Sequence, residues 1–293
     1  MNITRPIRLR RRARLLLVLV IFIWAWHGPQ AVAQERLLNE EFRMYKGFRS
    51  KFLANDRDII VWLPPGYDSE PAKRYPVLYM HDGGSVFVLW RIDELAKPPI
   101  ASLQVEPVII VMVYNGGSQA ARFDEYTHSR PSYAKSGGKA DSYCQMLVEE
   151  LKPFIDSQYR TLTDAANTGL GGASLGALVS LHLGLKYPNV FGKLVVMSPS
   201  VWWDNKLILR DVKALKSKPA LRIWLDIGTA EGPGTLEGAR ELRDALVKKG
   251  WTLNSDLMYF EAKGSDHEEK AFAQRAQPML KFLFPQPANR GSQ

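Results

Sequence analysis

The sequence predicts an α/β fold in which a mainly parallel central sheet carries helices on both faces. Two observations lead to this class. Short apolar runs recur along the chain and are typical of strands covered on both faces, and longer amphipathic stretches lie between them. Strands that alternate with helices imply parallel pairing. The apolar runs are PVLYMH (76–81), PVIIVMVY (107–114), KLVVMS (193–198) and LRIWLDIG (221–228).

The first elements of the domain follow a different pattern. The segments EFRMYKGFRSKF and RDIIVWLPPGY alternate polar and apolar residues, which predicts a strand pair. We expect this pair to form an antiparallel edge of the sheet. Farther along, NTGLGG predicts a short strand, and LNSDLMYFE predicts the last one.

Four stretches predict the helices that cover the sheet. KADSYCQMLVEELKPFIDSQY has an apolar face, SLGALVSLHLGLKYP stops at Pro188, and LEGARELRDALVKKG ends at Gly250, a residue typical of helix ends. AFAQRAQPMLKFLF closes the domain with a kink expected at Pro278. No repeat or low-complexity linker interrupts this order, so we expect one domain over residues 36–286 and a disordered tail over residues 287–293.

The N-terminal segment predicts export. MNITRPIRLRRRAR holds six arginines and no acid, residues 15–26 are apolar, and small residues follow at Ala31 and Ala33. This order is typical of a secretory signal peptide, here residues 1–33 with cleavage near Ala33. The apolar run is shorter than the roughly 20 residues of a transmembrane helix. We therefore expect a periplasmic or secreted protein without stable membrane insertion after cleavage; an uncleaved N-terminal anchor is the alternative.

Charge and cysteine content narrow the classes further. The chain carries +9, but six of these charges are the arginines of the predicted signal, which leaves +3 for the remainder. This modest charge argues against a nucleic-acid partner. The single cysteine, Cys144, excludes an intramolecular disulfide, and its place on an amphipathic stretch indicates a buried apolar role.

A candidate nucleophile lies in TGLGGASLGALVS (168–180). Ser174 stands between Gly172 and Gly176 in a G-x-S-x-G pattern, with a predicted strand before it and a predicted helix after it. Strand, serine turn and helix form the context of a nucleophile elbow. Side chains at the two glycines would collide with the neighbouring strand and helix. The pattern also arises by chance, so the serine needs a base, an acid and oxyanion donors elsewhere in the chain.

A base must take the proton of the serine hydroxyl. We choose His267, because it follows the serine in the chain and lies in a loop after the strand LNSDLMYFE, where the sites of open α/β sheets form. His182 lies inside the helix after the serine and is interpreted as structural. His81 ends a predicted strand, and His128 lies in the EYTHSRP loop.

An acid that orients the base should lie between serine and histidine in the chain. The segment LRIWLDIGTAEG offers two candidates. Asp226 lies within the apolar strand, whereas Glu231 lies in the turn beyond it and can reach over the strand end. We prefer Glu231, with Asp226 as the alternative.

Acyl transfer also needs hydrogen-bond donors for the developing oxyanion. One candidate is the backbone N–H of Leu175, directly after the serine. The other is the N–H of Gly84 in YMHDGGSVF, where the glycines permit close approach of the backbone. An ordinary D-G-G turn is the alternative interpretation of that loop.

Over residues 38–286 the chain resembles the esterase D-like family of esterases. The segments LPPGY, YPVLYMHDG, ARFDEYT, LVEELKPFIDSQYRT, GGASLGALVSLHLGLKYPNVFG, SPSVWW, DIGTAEG and the GSDH loop occur in the order of that family. The resemblance implies the α/β-hydrolase fold and relatives such as feruloyl, acetylxylan and enterochelin esterases and mycolyltransferase antigens. It implies Ser174 as nucleophile and His267 as base. It also implies Glu231 as acid and Gly84 in the oxyanion hole. Many relatives read HDGQN where this chain reads HDGGS, which keeps the backbone donor and removes a side chain.

Five residues are candidates for contact with a substrate. Arg122, Glu125 and Tyr126 belong to ARFDEYT, interpreted as a long loop. Arg122 would bind an anionic group or pair with Glu125. Trp202 and Trp203 follow SPS and would form an aromatic wall for an acyl group or sugar, or belong to the core.

The sequence therefore predicts an exported serine hydrolase that cleaves carboxylic esters through an acyl-enzyme and a Ser-Glu-His triad. Its substrate would be a small-molecule or carbohydrate ester, such as an acyl or feruloyl ester or a siderophore ester. No metal or cofactor is implied. The alternatives are an acyltransferase with the same acyl-enzyme and a non-catalytic carbohydrate- or siderophore-binding protein on this fold.

Overall fold

The computed structural model describes residues 39–287. From Glu41 onward these residues belong to one compact unit around an eight-stranded sheet. The predicted signal peptide, and the predicted tail beyond residue 287, lie outside the described residues and stay predictions. The strands are β1 (Phe42–Phe48), β2 (Arg57–Trp62), β3 (Val77–Met80), β4 (Ile109–Val113), β5 (Thr168–Ala173), β6 (Lys193–Met197), β7 (Arg222–Gly228) and β8 (Leu257–Ala262).

The sheet is mainly parallel, with the strand order β1-β2-β4-β3-β5-β6-β7-β8. Strand β2 runs antiparallel to both β1 and β4, whereas all pairs from β4 to β8 are parallel. The predicted fold class and its antiparallel N-terminal edge are confirmed. Because β4 and β5 flank β3 on opposite sides, the connections that leave β3 and β5 diverge and open a crevice at their carboxyl ends.

Helices cover this sheet. They are α1 (Gly83–Ser85), α2 (Ile92–Ala101), α3 (Gln119–Tyr126), α4 (Ala140–Gln145), α5 (Lys152–Gln158), α6 (Leu175–Lys186), α7 (Trp203–Ala214), α8 (Pro233–Lys249), α9 (Glu269–Gln274) and α10 (Ala276–Leu283). Two π-helical segments, Val86–Trp90 and Met146–Leu151, extend α1 and join α4 to α5. Among the helices of residues 39–287, none combines the length and the apolar character that spanning a membrane requires.

The centre of the sheet is packed too tightly for side chains at some positions. A Cβ atom on Gly171 of β5 would lie 2.2 Å from the Cβ atom of Val195 on β6. The neighbouring Leu170 is fully buried, as is every residue of β4. Strand β5 therefore delivers the turn that follows it from a rigid position in the core.

One predicted local structure was wrong. The segment ARFDEYT is not a long loop, because Gln119–Tyr126 forms helix α3. The hydroxyl of Ser118 accepts a hydrogen bond from the Ala121 N–H at 3.1 Å and caps this helix. At the start of α7, residues 204–206 directly after Trp203 have left-handed φ values of 46°, 52° and 60°, which interrupt the helical backbone.

The C-terminal helical stretch breaks at Arg275 rather than at Pro278. Proline lacks the N–H that would bond the carbonyl four residues earlier, and its ring clashes with that carbonyl. The helix therefore ends at Gln274 and restarts with Pro278 in the first turn of α10, where a missing N–H costs nothing.

Candidate active site

Ser174 forms the turn between β5 and α6, in a backbone conformation that non-glycine residues rarely adopt. Its φ is 61° and its ψ is −120°. The Ser174 N–H donates to the Met197 carbonyl at 3.0 Å, which holds the turn against β6. A Cβ atom at Gly172 or Gly176 would lie 3.2 or 3.4 Å from the Cβ atom of His81. The two glycines of the motif thus let the strained turn pack against the end of β3.

A cavity of about 350 Å³ contains both Ser174 and His267 in its wall. Segments that follow β3, β4, β5 and β8 enclose it, so it occupies the carboxyl edge of the sheet, where open α/β sheets bind ligands. The Ser174 hydroxyl lies 3.3 Å from the hydroxyl of Ser200. The structure therefore places Ser174 and His267 in the wall of one cavity, although their segments lie far apart in the chain.

His267 contacts Glu231, not Asp226. The Nδ1 atom of His267 lies 2.6 Å from Oε2 of Glu231. The other carboxylate oxygen of Glu231 accepts hydrogen bonds from the Gly228 N–H at 2.7 Å and from the Ser198 hydroxyl at 2.5 Å. The Glu231 side chain is 1% exposed and that of His267 is 43% exposed. A fixed carboxylate thus holds an accessible imidazole.

The surroundings of Glu231 favour its ionised form. Burial alone would raise the pKa of this carboxyl, but hydrogen bonds from His267, Ser198 and the Gly228 N–H outweigh burial, and its pKa lies below the ordinary value. An ionised carboxylate beside Nδ1 would favour the tautomer in which His267 carries its proton on Nδ1. The Nε2 atom would then offer a free lone pair.

Asp226 lies under the site without touching His267. Its carboxylate binds the guanidinium of Arg275 at 2.6 Å and the indole N–H of Trp224 at 2.6 Å. Complete burial raises the pKa of Asp226 to about 6, against the lowering effects of Arg275, Trp224 and the Ser198 N–H. Arg275 also donates to the Ser198 hydroxyl at 3.2 Å. Asp226 therefore anchors the residues that hold Glu231, a network that the sequence analysis missed.

The two candidate oxyanion donors lie in first turns of helices, where N–H groups have no partner within the helix. Leu175 begins α6, and Gly84 lies in the short α1. Asp82 precedes α1 with a left-handed φ of 53°. Asp82 and Ser85, on either side of the two glycines, line the cavity together with Ser174.

Arg122 lines the cavity but pairs with Asp82 rather than with Glu125. Its Nε and Nη2 atoms lie 2.9 and 2.8 Å from the two carboxylate oxygens of Asp82. The side-chain amide of Asn115 donates to the same carboxylate at 2.8 Å. The expected alternative, an Arg122–Glu125 pair, was wrong, because Glu125 binds the buried guanidinium of Arg57 at 3.1 Å.

Glu125 and Tyr126 do not line the cavity of Ser174. Glu125 is 5% exposed and Tyr126 is fully buried. The Tyr126 hydroxyl accepts a hydrogen bond from the Asp82 N–H at 3.0 Å. We therefore correct the expectation of direct substrate contact: Tyr126 holds the loop after β3 through Asp82, and Glu125 joins α3 to Arg57 of β2.

The two tryptophans differ in exposure: Trp202 is placed to form an aromatic wall, and Trp203 belongs to the core. Trp202 is 49% exposed, whereas Trp203 is 3% exposed and donates its indole N–H to the Ser129 carbonyl at 3.2 Å. Both lie in the wall of an apolar groove of about 440 Å³, together with Phe123 and Tyr133. Gln119 lines both this groove and the cavity of Ser174, so the two spaces adjoin.

Sequence reasoning also missed the acidic side of the cavity. Glu268 and Glu269 follow His267 in the wall, and Glu269 accepts the indole N–H of Trp90 at 2.5 Å. Because Glu268 and Glu269 directly follow His267 in the chain, the sequence could have indicated that they lie at the site. No sequence pattern links Trp90 to them, because 179 residues separate it from Glu269.

His81 also lines the cavity, but as a buried neutral ring. Its Nδ1 atom lies 2.8 Å from the Tyr143 hydroxyl. Burial, with a smaller effect of Arg122, lowers the pKa of His81 to about 3, although Asp82 opposes the shift. Such a weak base does not compete with His267 for the proton of a serine.

Residues 50–283 match the model of the family described as Putative esterase. The chain belongs to this family. It is thus a carboxylic ester hydrolase on an α/β-hydrolase fold. The esterase is 32% identical to the uncharacterized protein YjcH of Bacillus subtilis over 248 residues, which cover 82% of this chain and 96% of that protein. It is 27% identical to an endo-1,4-beta-xylanase/feruloyl esterase of Xylanibacter ruminicola, covering 76% of this chain and 29% of the relative.

Solved structures resemble the esterase over most of its length. The BES protein from Bacillus cereus superposes with a TM-score of 0.70 and 26% identity, covering 84% of this chain and 95% of that one. The enterobactin esterase FES from Shigella flexneri gives a TM-score of 0.68 at 20% identity, covering 83% and 58% of the two chains. At 20% identity, the similarity to the Shigella flexneri enzyme supports a shared fold alone.

Proposed function

We propose that the esterase cleaves its substrate through an acyl-enzyme on Ser174, with His267 as base and Glu231 as the acid that orients it. The observation that carries this proposal is the 2.6 Å contact between His267 and Glu231, beside a cavity whose wall also contains the strained Ser174. A serine becomes a useful nucleophile when a base removes its proton and a third group fixes that base.

The reaction would proceed in two halves. The Ser174 oxygen attacks the ester carbonyl while Nε2 of His267 takes its proton, and the proton then passes to the leaving alcohol. The N–H groups of Leu175 and Gly84 would stabilise the charge on the carbonyl oxygen. Water, activated by the same histidine, then releases the acid. Throughout, the ionised Glu231 stabilises the imidazolium that forms on His267.

The shape of the site favours an ester with an aromatic or apolar acyl group. Trp202, Phe123 and Tyr133 line the apolar groove beside the cavity, and such a surface suits a flat ring. The cavity itself is rich in carboxylates and amides, which suit a hydroxyl-bearing alcohol. Relatives named as a feruloyl esterase and as enterobactin and bacillibactin esterases support esters of carbohydrates or siderophores as the substrate class. The N-terminal segment supports export of the enzyme.

The first test is Ser174→Ala, measured on a short-chain aryl ester and with a fluorophosphonate probe that labels active serines. We expect loss of hydrolysis and of labelling, whereas the exposed Ser157→Ala, remote from the cavity, should retain both. Unchanged hydrolysis by Ser174→Ala would remove this assignment. Absence of labelling in the wild type would favour a binding protein, and new esters formed with added acceptor alcohols would indicate an acyltransferase.

A further inference from the structure

Outside the cavity, three potential metal ligands come together from three segments of the fold. His128 lies in the connection after α3, His182 lies on α6, and Asp211 lies on α7. One ligand atom from each residue lies within 4.8 Å of the other two. Within residues 39–287, this is the one group of three or more histidine, cysteine or acidic side chains with a spacing that could hold a metal ion. His182 lies on α6, the helix that follows Ser174, but none of the three residues lines the cavity of Ser174.

The buried ring nitrogens of His128 have no hydrogen-bond partner among the described residues. Its side chain is 8% exposed, and its Nε2 atom lies 2.8 Å from Oδ2 of Asp211. Neither atom, nor Nδ1 of His128, has a partner with hydrogen-bonding angles among the described residues. Buried polar atoms nearly always have such a partner. These atoms are therefore placed to interact with a group that is not part of the described residues.

The second histidine stacks on the first. The imidazole rings of His128 and His182 lie with centroids 4.3 Å apart and planes 12° apart. A neutral imidazole binds a metal through a nitrogen lone pair that lies in the plane of its ring. One of these nearly parallel rings must therefore turn for both to bind the same cation.

We propose that His128, His182 and Asp211 bind a Zn²⁺ ion. Two imidazole nitrogens and one carboxylate oxygen are ligands that zinc prefers, with a water molecule in the fourth position. Tetrahedral ligands at 2.0–2.2 Å from zinc are roughly 3.4 Å apart. The ligand atoms now lie within 4.8 Å of one another, so zinc binding requires a side-chain rotation that brings the two histidine nitrogens and the carboxylate onto one centre.

The ion would fasten one wall of the apolar groove. Ser129, next to His128, accepts the indole N–H of Trp203, and Tyr133 in the same connection lines the groove with Trp202. Zinc would thus join this connection to α6 and α7 near the groove. Its role is structural, because the ligands are remote from the reacting atoms.

The test measures zinc content and thermal stability, neither of which depends on catalysis. The protein is stripped with a chelator and dialysed against Zn²⁺, and bound metal is counted per chain. We expect one tightly bound ion in the wild type. Asp211→Asn and His128→Ala each remove a ligand, so the affinity for zinc should fall by more than roughly 100-fold. That loss exceeds the roughly 10- to 100-fold decrease typical of substitutions at residues that only support the ligands. At zinc 100-fold above its Kd, the wild-type Tm should rise by about 5–10 °C.

Two controls separate this site from adventitious binding. His267→Ala removes the exposed histidine of the cavity and should keep the ion, as should Asp244→Asn, a surface aspartate paired with Arg243. Asp211→Asn preserves shape, and its far-ultraviolet circular dichroism reports folding. A wild type that binds no zinc would overturn the proposal, as would binding that survives Asp211→Asn and His128→Ala or disappears with His267→Ala.

Discussion

Two of the histidine–carboxylate contacts of this esterase are built in opposite ways. In the cavity the histidine is exposed and the carboxylate is buried: His267 is 43% exposed and Glu231 is 1% exposed. Beside α6 the order is reversed, with His128 8% exposed and Asp211 34% exposed. An accessible imidazole on a fixed carboxylate can exchange protons with a substrate. A buried imidazole with an accessible carboxylate can instead hold structure together, so the contact alone does not define the function.

The largest expected effect tests this contrast between the two histidines. We expect His267→Ala to lower kcat for an aryl ester by a factor on the order of 10⁶, as loss of a catalytic base does in serine hydrolases. His128→Ala should change kcat by less than about tenfold, because it lies outside the cavity. Steady-state kinetics on both variants measures the difference. Comparable losses of kcat would contradict a catalytic role for His267 and a structural role for His128.

The second prediction concerns the two acids near the end of β7. Glu231→Gln should lower kcat on the order of 10⁴-fold, since an amide favours the wrong tautomer of His267. Asp226→Asn keeps the shape of a residue that does not touch His267, so its kcat should fall less than about tenfold. If Asp226→Asn proves the more damaging in the same kinetic assay, the role of the acid moves to Asp226.

The same two carboxyls should respond to pH in opposite directions. Burial raises the pKa of Asp226 from 3.8 to about 6, so its contribution to the free energy of unfolding falls as pH rises from about 4 to 6. The pKa of Glu231 lies below the ordinary 4.5. Its contribution is therefore present above about pH 4.5 and is lost as pH falls through the folded pKa.

Denaturant unfolding between pH 3.5 and 7 would measure these contributions. From pH 4 to 6, the wild type should lose stability relative to Asp226→Asn. Below pH 4.5, the wild type should lose stability relative to Glu231→Gln. Stability curves that stay parallel across this range would contradict both assignments of charge.

The smallest effect separates the two adjacent tryptophans by exposure. Trp202→Ala should raise KM for an aromatic ester about three- to tenfold through loss of a ring contact, with kcat unchanged. The buried Trp203→Ala should lower the free energy of unfolding by about 3–5 kcal/mol. Kinetics and denaturant unfolding on both variants provide the measurement. An unchanged KM for Trp202→Ala would place the acyl group outside the groove.

The parts of the site that the sequence predicts are those tied to local pattern and chain order. Ser174 stood out because its glycines, the strand before it and the helix after it are contiguous. Glu231 and His267 followed from their places after successive predicted strands. The Asp82–Arg122 and Trp90–Glu269 contacts could not be predicted, because each joins segments that meet only when the loops of the sheet converge.

Local signals also misled where capping decides the structure. The segment ARFDEYT was interpreted as a loop, whereas the Ser118 cap starts helix α3 directly after Gly116 and Gly117. His128, His182 and Asp211 share no spacing motif, since a connection and two helices supply one residue each. Only the packing of α6 against its neighbours reveals that group.

The position of Arg275 has a consequence for the order in which the enzyme matures during synthesis. A nascent chain that has reached the end of α8 already contains Ser174 and Glu231, but it lacks His267 and the cation that neutralises Asp226. The buried acid under the site therefore has no counterion until the chain has been synthesised through α9 and Arg275. Under the proposed mechanism, hydrolytic activity requires the final segment of the domain, so a chain that ends before His267 is inert toward esters.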